Sequence, residues 1–453
     1  MEQAVLLDGG ESAEVIETRR AAKRAARAVE SDQMDPRIVE ADRSQIELRP
    51  QDLDSLIPLC HRARIIWSFV EKLDLSRFYV PIKARGSRAG RPCTDPKILL
   101  TLWLYAYSEG IGSAHAVDDL CRYHSAYRWI RGGVAMNYHT LSDFRSEHGT
   151  AFDDLLTQSL AVMAHEGLLS LKRVAQDGTR VRTSAGAGSF RRRARLEDLL
   201  KAAREHVDAV KQQSDVAVDT QRSARQKAAQ DRAARERAER VERALLELAT
   251  IEQQREEMVG GHQPKGEPRA STTDPEARKM KMADGGFRPA YNAQIASDTE
   301  SRLIVGVDIT EDGTDYAQSE PMLEQIEERT GRKPEELLVD GGYTSKDAVE
   351  CITAKGVTLY GPVPERKANP DRFAIKPTDS AAIGQWKQRM ASAEGQEIYH
   401  ERGATIETIN ADLKTWRALG HFLVRGKRKV LCVLLLNALT YNILRWAALT
   451  TAT

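Results

Sequence analysis

The sequence predicts a mixed α/β protein of the α+β type, with a helical N-terminal part and a charged helical insertion. Three observations carry this expectation. Between Leu53 and about His148, apolar residues recur at helical spacing, with capping residues where helices would begin. A long Ala-, Arg-, Glu-, Gln- and Asp-rich stretch then runs to about Glu257, strongly helical in composition but with a thin apolar stripe. From Tyr291 onward, short strand-like runs alternate with helical ones, the pattern of a mixed sheet.

Composition bounds the function. At 453 residues and roughly 150 per domain, the chain has room for about three domains. Its 67 Lys+Arg against 66 Asp+Glu leave a net charge of +1, so any anion-binding surface is a local patch rather than a basic wrapper. Five scattered cysteines without a CxxC pair argue against a disulfide scaffold or zinc knuckle and fit a reducing cytoplasm. The first thirty residues lack the apolar stretch of a signal peptide. The apolar run VLCVLLLNALTYNIL from Val430, interrupted by Asn437 and Asn442, reads as too short to span a bilayer, so no membrane partner is expected.

Taken in order, residues 1–47 read as a mobile charged tail, with a phosphate-touching basic arm as the alternative. Residues 48–150 form the expected helical N-terminal domain. In it, Asp95-Pro96 opens PKILLTLWLYAYSEG, Ser113 caps the next helix, and Thr140 with Asp143 reads as a capping box. Short helices joined by Gly turns suit a DNA-binding unit and any small bundle equally. Residues 168–450 form the expected sheet domain, interrupted at 192–257 by the charged insertion, read as a solvated helical hairpin. In it, RVAQDGTRVRTSA is a strand with an Asp-Gly turn signal, and YNAQIASD with RLIVGVDIT forms a hairpin. The strand ELLVDGG, the helix KDAVECITAKG and the strand VTLYGP follow, with helices from Glu407 to the end.

Isolated carboxylates among 66 carry no information, but Asp177 and Asp340 lie inside or at the end of apolar strands, where an unpaired charge is costly. Two unrelated Asp-Gly turns would give the same pattern. Glu407 and Lys414, seven apart in YHERGATIETINADLKTW, share a helix face. Carboxylates without matching His or Cys favour a hard cation such as magnesium.

Four segments in order, QDGTRVRTSAGAGSFRRR, ARKMKMADGGFRPAYNAQIASD, LLVDGGYTS and YHERGATIETINADLKTW, resemble the DDE transposases of bacterial insertion sequences. The part from GRPCTDPKILLTLWLYAYSEG to YHTLSDFRSEH resembles the helical N-terminal domain of one large group of them. The resemblance implies an RNase H-like catalytic core with a helical N-terminal domain. It matches Asp177 to the first catalytic and metal-binding Asp, Asp340 to the second, and Glu407 to the catalytic Glu. Tyr399, Arg402, Glu407 and Lys414 match the Tyr-Arg-Glu-Lys signature, except that four residues separate Arg402 from Glu407 where three are usual.

The implied cofactor is Mg2+, with Mn2+ able to substitute, as two ions about 3.5–4 Å apart between three carboxylates. The implied partners are double-stranded DNA, both terminal inverted repeats and target, and a second copy of the chain in a homodimeric synaptic complex. Tyr399, Arg402 and Lys414 are expected on phosphates, joined by the basic cluster Arg191, Arg192 and Arg193, with RGKRK (425–429) as a further basic patch. The expected location is the cytoplasm, at the nucleoid. A catalytically silent DNA-binding regulator and an RNase H-like nuclease without strand transfer are the alternatives.

Overall fold

The computed structural model describes residues 13–32, 41, 43–44, 50–86, 92–216, 224–257, 266–365 and 371–451. The chain divides into a unit of residues 1–51 and a unit of residues 52–453. In the first, residues 13–32 form the helix α1 (Ala13–Asp32) rather than an irregular tail, because Ala, Arg and Glu are strong helix formers even where the described side chains are exposed. Most of the remaining tail expectation lies outside the described residues.

The second unit begins with helices α2 (Arg62–Val70), α3 (Ser76–Tyr79), α4 (Pro96–Ser108), α5 (Ala114–Tyr123), α6 (Ser125–Arg131), α7 (Tyr138–Glu147) and α8 (Gly149–His165). Asp95 caps α4 by accepting from the Lys97 N–H at 2.9 Å, with Pro96 in the first helical position. Ser113 caps α5. The Thr140 capping box does not form. Asn137, extended at φ −144°, takes the cap three residues earlier, and its side chain accepts from the Thr140 N–H at 2.9 Å.

Strand β1 (Arg173–Arg182) leads to a two-residue ladder between β2 (Phe190–Arg191) and β3 (Ala270–Ser271). This ladder is the neck of the insertion. Helices α9 (Arg193–Val216) and α10 (Ala224–Glu257) lie between its strands, as the expected hairpin, around a small core of their own: Leu196, Val241, Ala244 and Leu248, with Ala270.

The chain continues through β4 (Arg278–Lys281), β5 (Phe287–Asp298), β6 (Ile304–Thr310), α11 (Ser319–Thr330), β7 (Glu336–Leu338), α12 (Lys346–Ala354) and β8 (Thr358–Tyr360). After these come α13 (Ala381–Ala391), α14 (Ala393–Arg402), a π-helical turn (Gly403–Glu407), α15 (Thr408–Trp416) and α16 (Lys427–Thr451). The sheet runs β4–β5–β1–β7–β8, with β6 also on β5. Strands β1, β5 and β6 are antiparallel, as the expected hairpin requires, whereas β1, β7 and β8 are parallel.

Two expectations change here. Asp177-Gly178 is not a turn, because β1 runs unbroken through it with Gly178 opposite Gln294. The Val430 run is not too short to span a bilayer. It lies in the 25-residue α16, long and apolar enough to cross one by length and composition, yet mostly buried in this unit. Its asparagines do not end the helix, since each side-chain amide bonds inside the protein, although Asn437 Oδ1 stays buried without a partner. Asn437 Nδ2 donates to Val433 O at 2.9 Å, and Asn442 bonds both the N–H and the carbonyl of Ile304 at 2.8 Å each. Helix α16 packs on α4, α7 and α8 and on β6, so the helical layer and the sheet share one core.

Candidate active site

Parallel pairing sets Ala175 opposite Leu338, where β7 ends. Carrying that register two residues further brings Asp340 alongside Asp177 on the same face of the sheet. Asp177 Oδ1 accepts from the Gly178 N–H at 2.9 Å, and Oδ2 accepts from Asn410 Nδ2 on α15 at 3.2 Å. Asp340 Oδ1 accepts from the Gly342 N–H at 2.7 Å. Burial pushes the Asp177 carboxyl up, Arg402 pulls it down, and the charges of Asp340 and Asp315 raise it again, leaving it at about 6.

Arg402 bridges this pair to the third predicted acid. Its Nη1 lies 3.7 Å from Asp177 Oδ2 and its Nη2 donates to Glu407 Oε1 at 3.3 Å. Burial works against its charge, but Asp177 and Tyr399, which also bonds it, more than compensate and hold the guanidinium protonated. Glu407 itself is 62% exposed. A π-helical turn lies between Arg402 and Glu407. A helix that closes i→i+5 absorbs one extra residue, so Arg402 and Glu407 stay on one face despite four intervening residues. Lys414 on α15 is half-buried, and this burial lowers its pKa while the nearby Asp177 opposes the shift.

The basic cluster is engaged elsewhere. Arg192 pairs with Glu267 at 2.9 Å and Arg193 with Glu252, acids at the base of the insertion. Arg191 lies in the β2–β3 ladder.

Sequence reasoning missed Asp315, Asn410, Asn292 and Gln294. The last two sit at alternate positions of β5, the spacing of one strand face, and this was the available signal. Among the described residues, no three acidic, histidine or cysteine side chains converge closely enough to enclose a metal ion. The donor set still suits a hard divalent cation. Asp177 and Asp340 face each other with Arg402 between them and Glu407, and the Oδ1 of Asn410 is buried without a hydrogen-bond partner.

A family model described as the transposase DDE domain matches residues 259–443, and a second, described as transposase domain (DUF772), matches residues 51–147. The chain belongs to the DDE transposases. Its mixed sheet, with spatial order β6–β5–β1–β7–β8 and helices before and after it, is the RNase H-like fold of that family with a helical N-terminal region. The DDE match contains Asp340, Tyr399, Arg402, Glu407 and Lys414; Asp177 lies before it, across the insertion. Transposases of this kind act on DNA and generally use divalent metal ions. No curated protein matches the chain.

Proposed function

We propose that this transposase cleaves DNA at the terminal inverted repeats of its element and transfers the freed 3′ ends into target DNA. The observation that carries the reading is the pair of carboxylates Asp177 and Asp340, brought side by side by the β1–β7 register and faced by Arg402. Asp177, Asp340 and Glu407 are the residues to hold Mg2+, for which Mn2+ substitutes. When bound, the cation activates the attacking oxygen, from water or a 3′-hydroxyl, and steadies the leaving oxygen.

Asn410 orients Asp177 through its Oδ2. Arg402 offers a planar fork and Lys414 a point charge to the phosphates flanking the scissile bond, and Tyr399 steers Arg402. The N-terminal domain of residues 48–150 binds the repeat, with Arg191 and, once freed from their acidic partners, Arg192 and Arg193 as additional phosphate contacts. Residues 168–450 form the catalytic domain. Two copies bridge the two ends as a homodimer, and the work is done in the cytoplasm at the nucleoid.

The test incubates the chain with labelled repeat-end duplexes, target plasmid and Mg2+. Cleaved and joined products are expected. Cleavage without joining would favour a nuclease, and binding without either product a silent regulator.

A further inference from the structure

The loop between β6 and α11 places a further carboxylate behind the paired aspartates. Asp315 is 9% exposed, and its Oδ1 accepts two amide N–H bonds, from Asn292 Nδ2 at 2.7 Å and Gln294 Nε2 at 2.8 Å. The buried Tyr343 hydroxyl donates to Gln294 Oε1, which fixes that amide with its N–H groups toward Asp315. Tyr343 lies three residues after Asp340, so one hydrogen-bonded chain ties Asp315 to the Asp340 segment.

Two glycines show how closely Asp315 is fitted. A Cβ at Gly178, next to Asp177, would lie 1.9 Å from Asp315 Oδ1. A Cβ at Gly342 would lie 3.4 Å from Asp315 Oδ2 and 3.0 Å from Asp340 Oδ1, so both carboxylates flank the same bare Cα. Neither glycine has a positive φ, so neither is needed for a turn. Gly178 requires the absence of a side chain, and at Gly342 a Cβ would press on Asp340. The loop also carries backbone strain, with Ala317 at φ +61°, a conformation that L residues avoid unless their surroundings impose it.

A separate observation concerns the electrostatics of the Gly178 face. Asn292 is 1% exposed, yet its Oδ1 has no hydrogen-bond partner and is aimed at Gly178, 2.8 Å from where a Cβ would stand. A buried amide oxygen beside a buried carboxylate is an arrangement that positive charge stabilises.

We infer that Asp315 is a fourth acidic residue of the catalytic centre, a positioning carboxylate whose charge, held behind Gly178 and Gly342, strengthens cation binding by Asp177 and Asp340. This rests on reading those two aspartates as cation ligands. Asp315 acts from the far side of β1, since side chains alternate along a strand and Gly178 faces away from Asp177.

The experiment titrates the full chain with Mn2+ alone, reading free Mn2+ by electron paramagnetic resonance, and records melting without metal. Asp315→Asn keeps an oxygen for the Asn292 and Gln294 amides but removes the charge. It is expected to weaken Mn2+ binding about ten- to a hundredfold, with a metal-free midpoint no lower than the parent's. Asp315→Ser, small enough to fit whatever the packing, is expected to weaken it equally. Parental Mn2+ affinity in either folded variant would overturn the inference and leave Asp315 a structural anchor. Asp177→Asn is the control. If it loses affinity while the Asp315 variants do not, only this inference fails; if it too keeps parental affinity, the cation-site reading fails and the inference with it.

Discussion

Burial first, then the charges of Asp340 and Asp315, raise the Asp177 carboxyl to about 6 against the pull of Arg402. A carboxyl whose pKa is raised by folding stabilises the folded state while protonated. That contribution is fully present below the unfolded value near 4 and is lost as pH rises through about 6. Without divalent cation, the parent therefore loses stability from this group between about pH 4 and 6, and Asp177→Asn does not. In metal-free urea melts at pH 7.5 the variant should be more stable by roughly 2–3 kcal/mol, a difference that disappears near pH 4. In Mg2+ it should bind repeat DNA but not cleave it. Equal stability at both pH values would mean that Asp177 is not strained in the metal-free protein. Asp177 and Asp340 were legible because acids inside apolar strands stand out. Asp315 was not, because EDGTD reads as a polar turn until β5 is paired and shows Asn292 and Gln294 bonded to it.

Among the elements, the π-helical turn sets how Glu407 is aimed relative to Arg402. Deleting Ala404 should convert the turn to regular α-helix, whose i→i+4 bonds are better made. The thermal midpoint should stay level or rise, while cleavage falls because Glu407 is re-aimed relative to Asp177. Unchanged cleavage would remove the turn from the catalytic geometry. The four residues between Arg402 and Glu407 were visible in the sequence; the turn was not, since spacing alone does not say whether a helix bulges or shifts its register. The insertion was legible for a simpler reason. A thin apolar stripe can bury only a little, and α9 and α10 do so mostly against each other. Arg278 of β4 also ties the insertion to the sheet, pairing with Glu247 of α10 at 2.8 Å and with Glu311 at 2.9 Å. Replacing residues 193–257 with a short Gly/Ser linker should leave a cooperative circular-dichroism melt and cost DNA binding or synapsis. Collapse of the whole melt would show that the hairpin supports the sheet.

For the molecule as a whole, the last long helix holds the layers together. The sequence marked 430–444 as an apolar run broken by two asparagines, and nothing local revealed that one of them reaches across to the sheet. Asn442 bonds both the N–H and the carbonyl of Ile304 on β6, while α16 also packs on α4, α7 and α8. Asn442→Leu would leave both backbone groups buried and unpaired, at a cost of about 2–4 kcal/mol. Because α16 contacts the helical layer and the sheet alike, that loss should not stay at β6. Hydrogen exchange should accelerate by a similar factor at protected amides of α4 and of β1, and melts followed by different probes should remain coincident at a lower temperature. Acceleration confined to β6, with α4 exchanging at the parental rate, would mean that the helical layer is stable without α16 and that the shared core does not make the two parts fold as one.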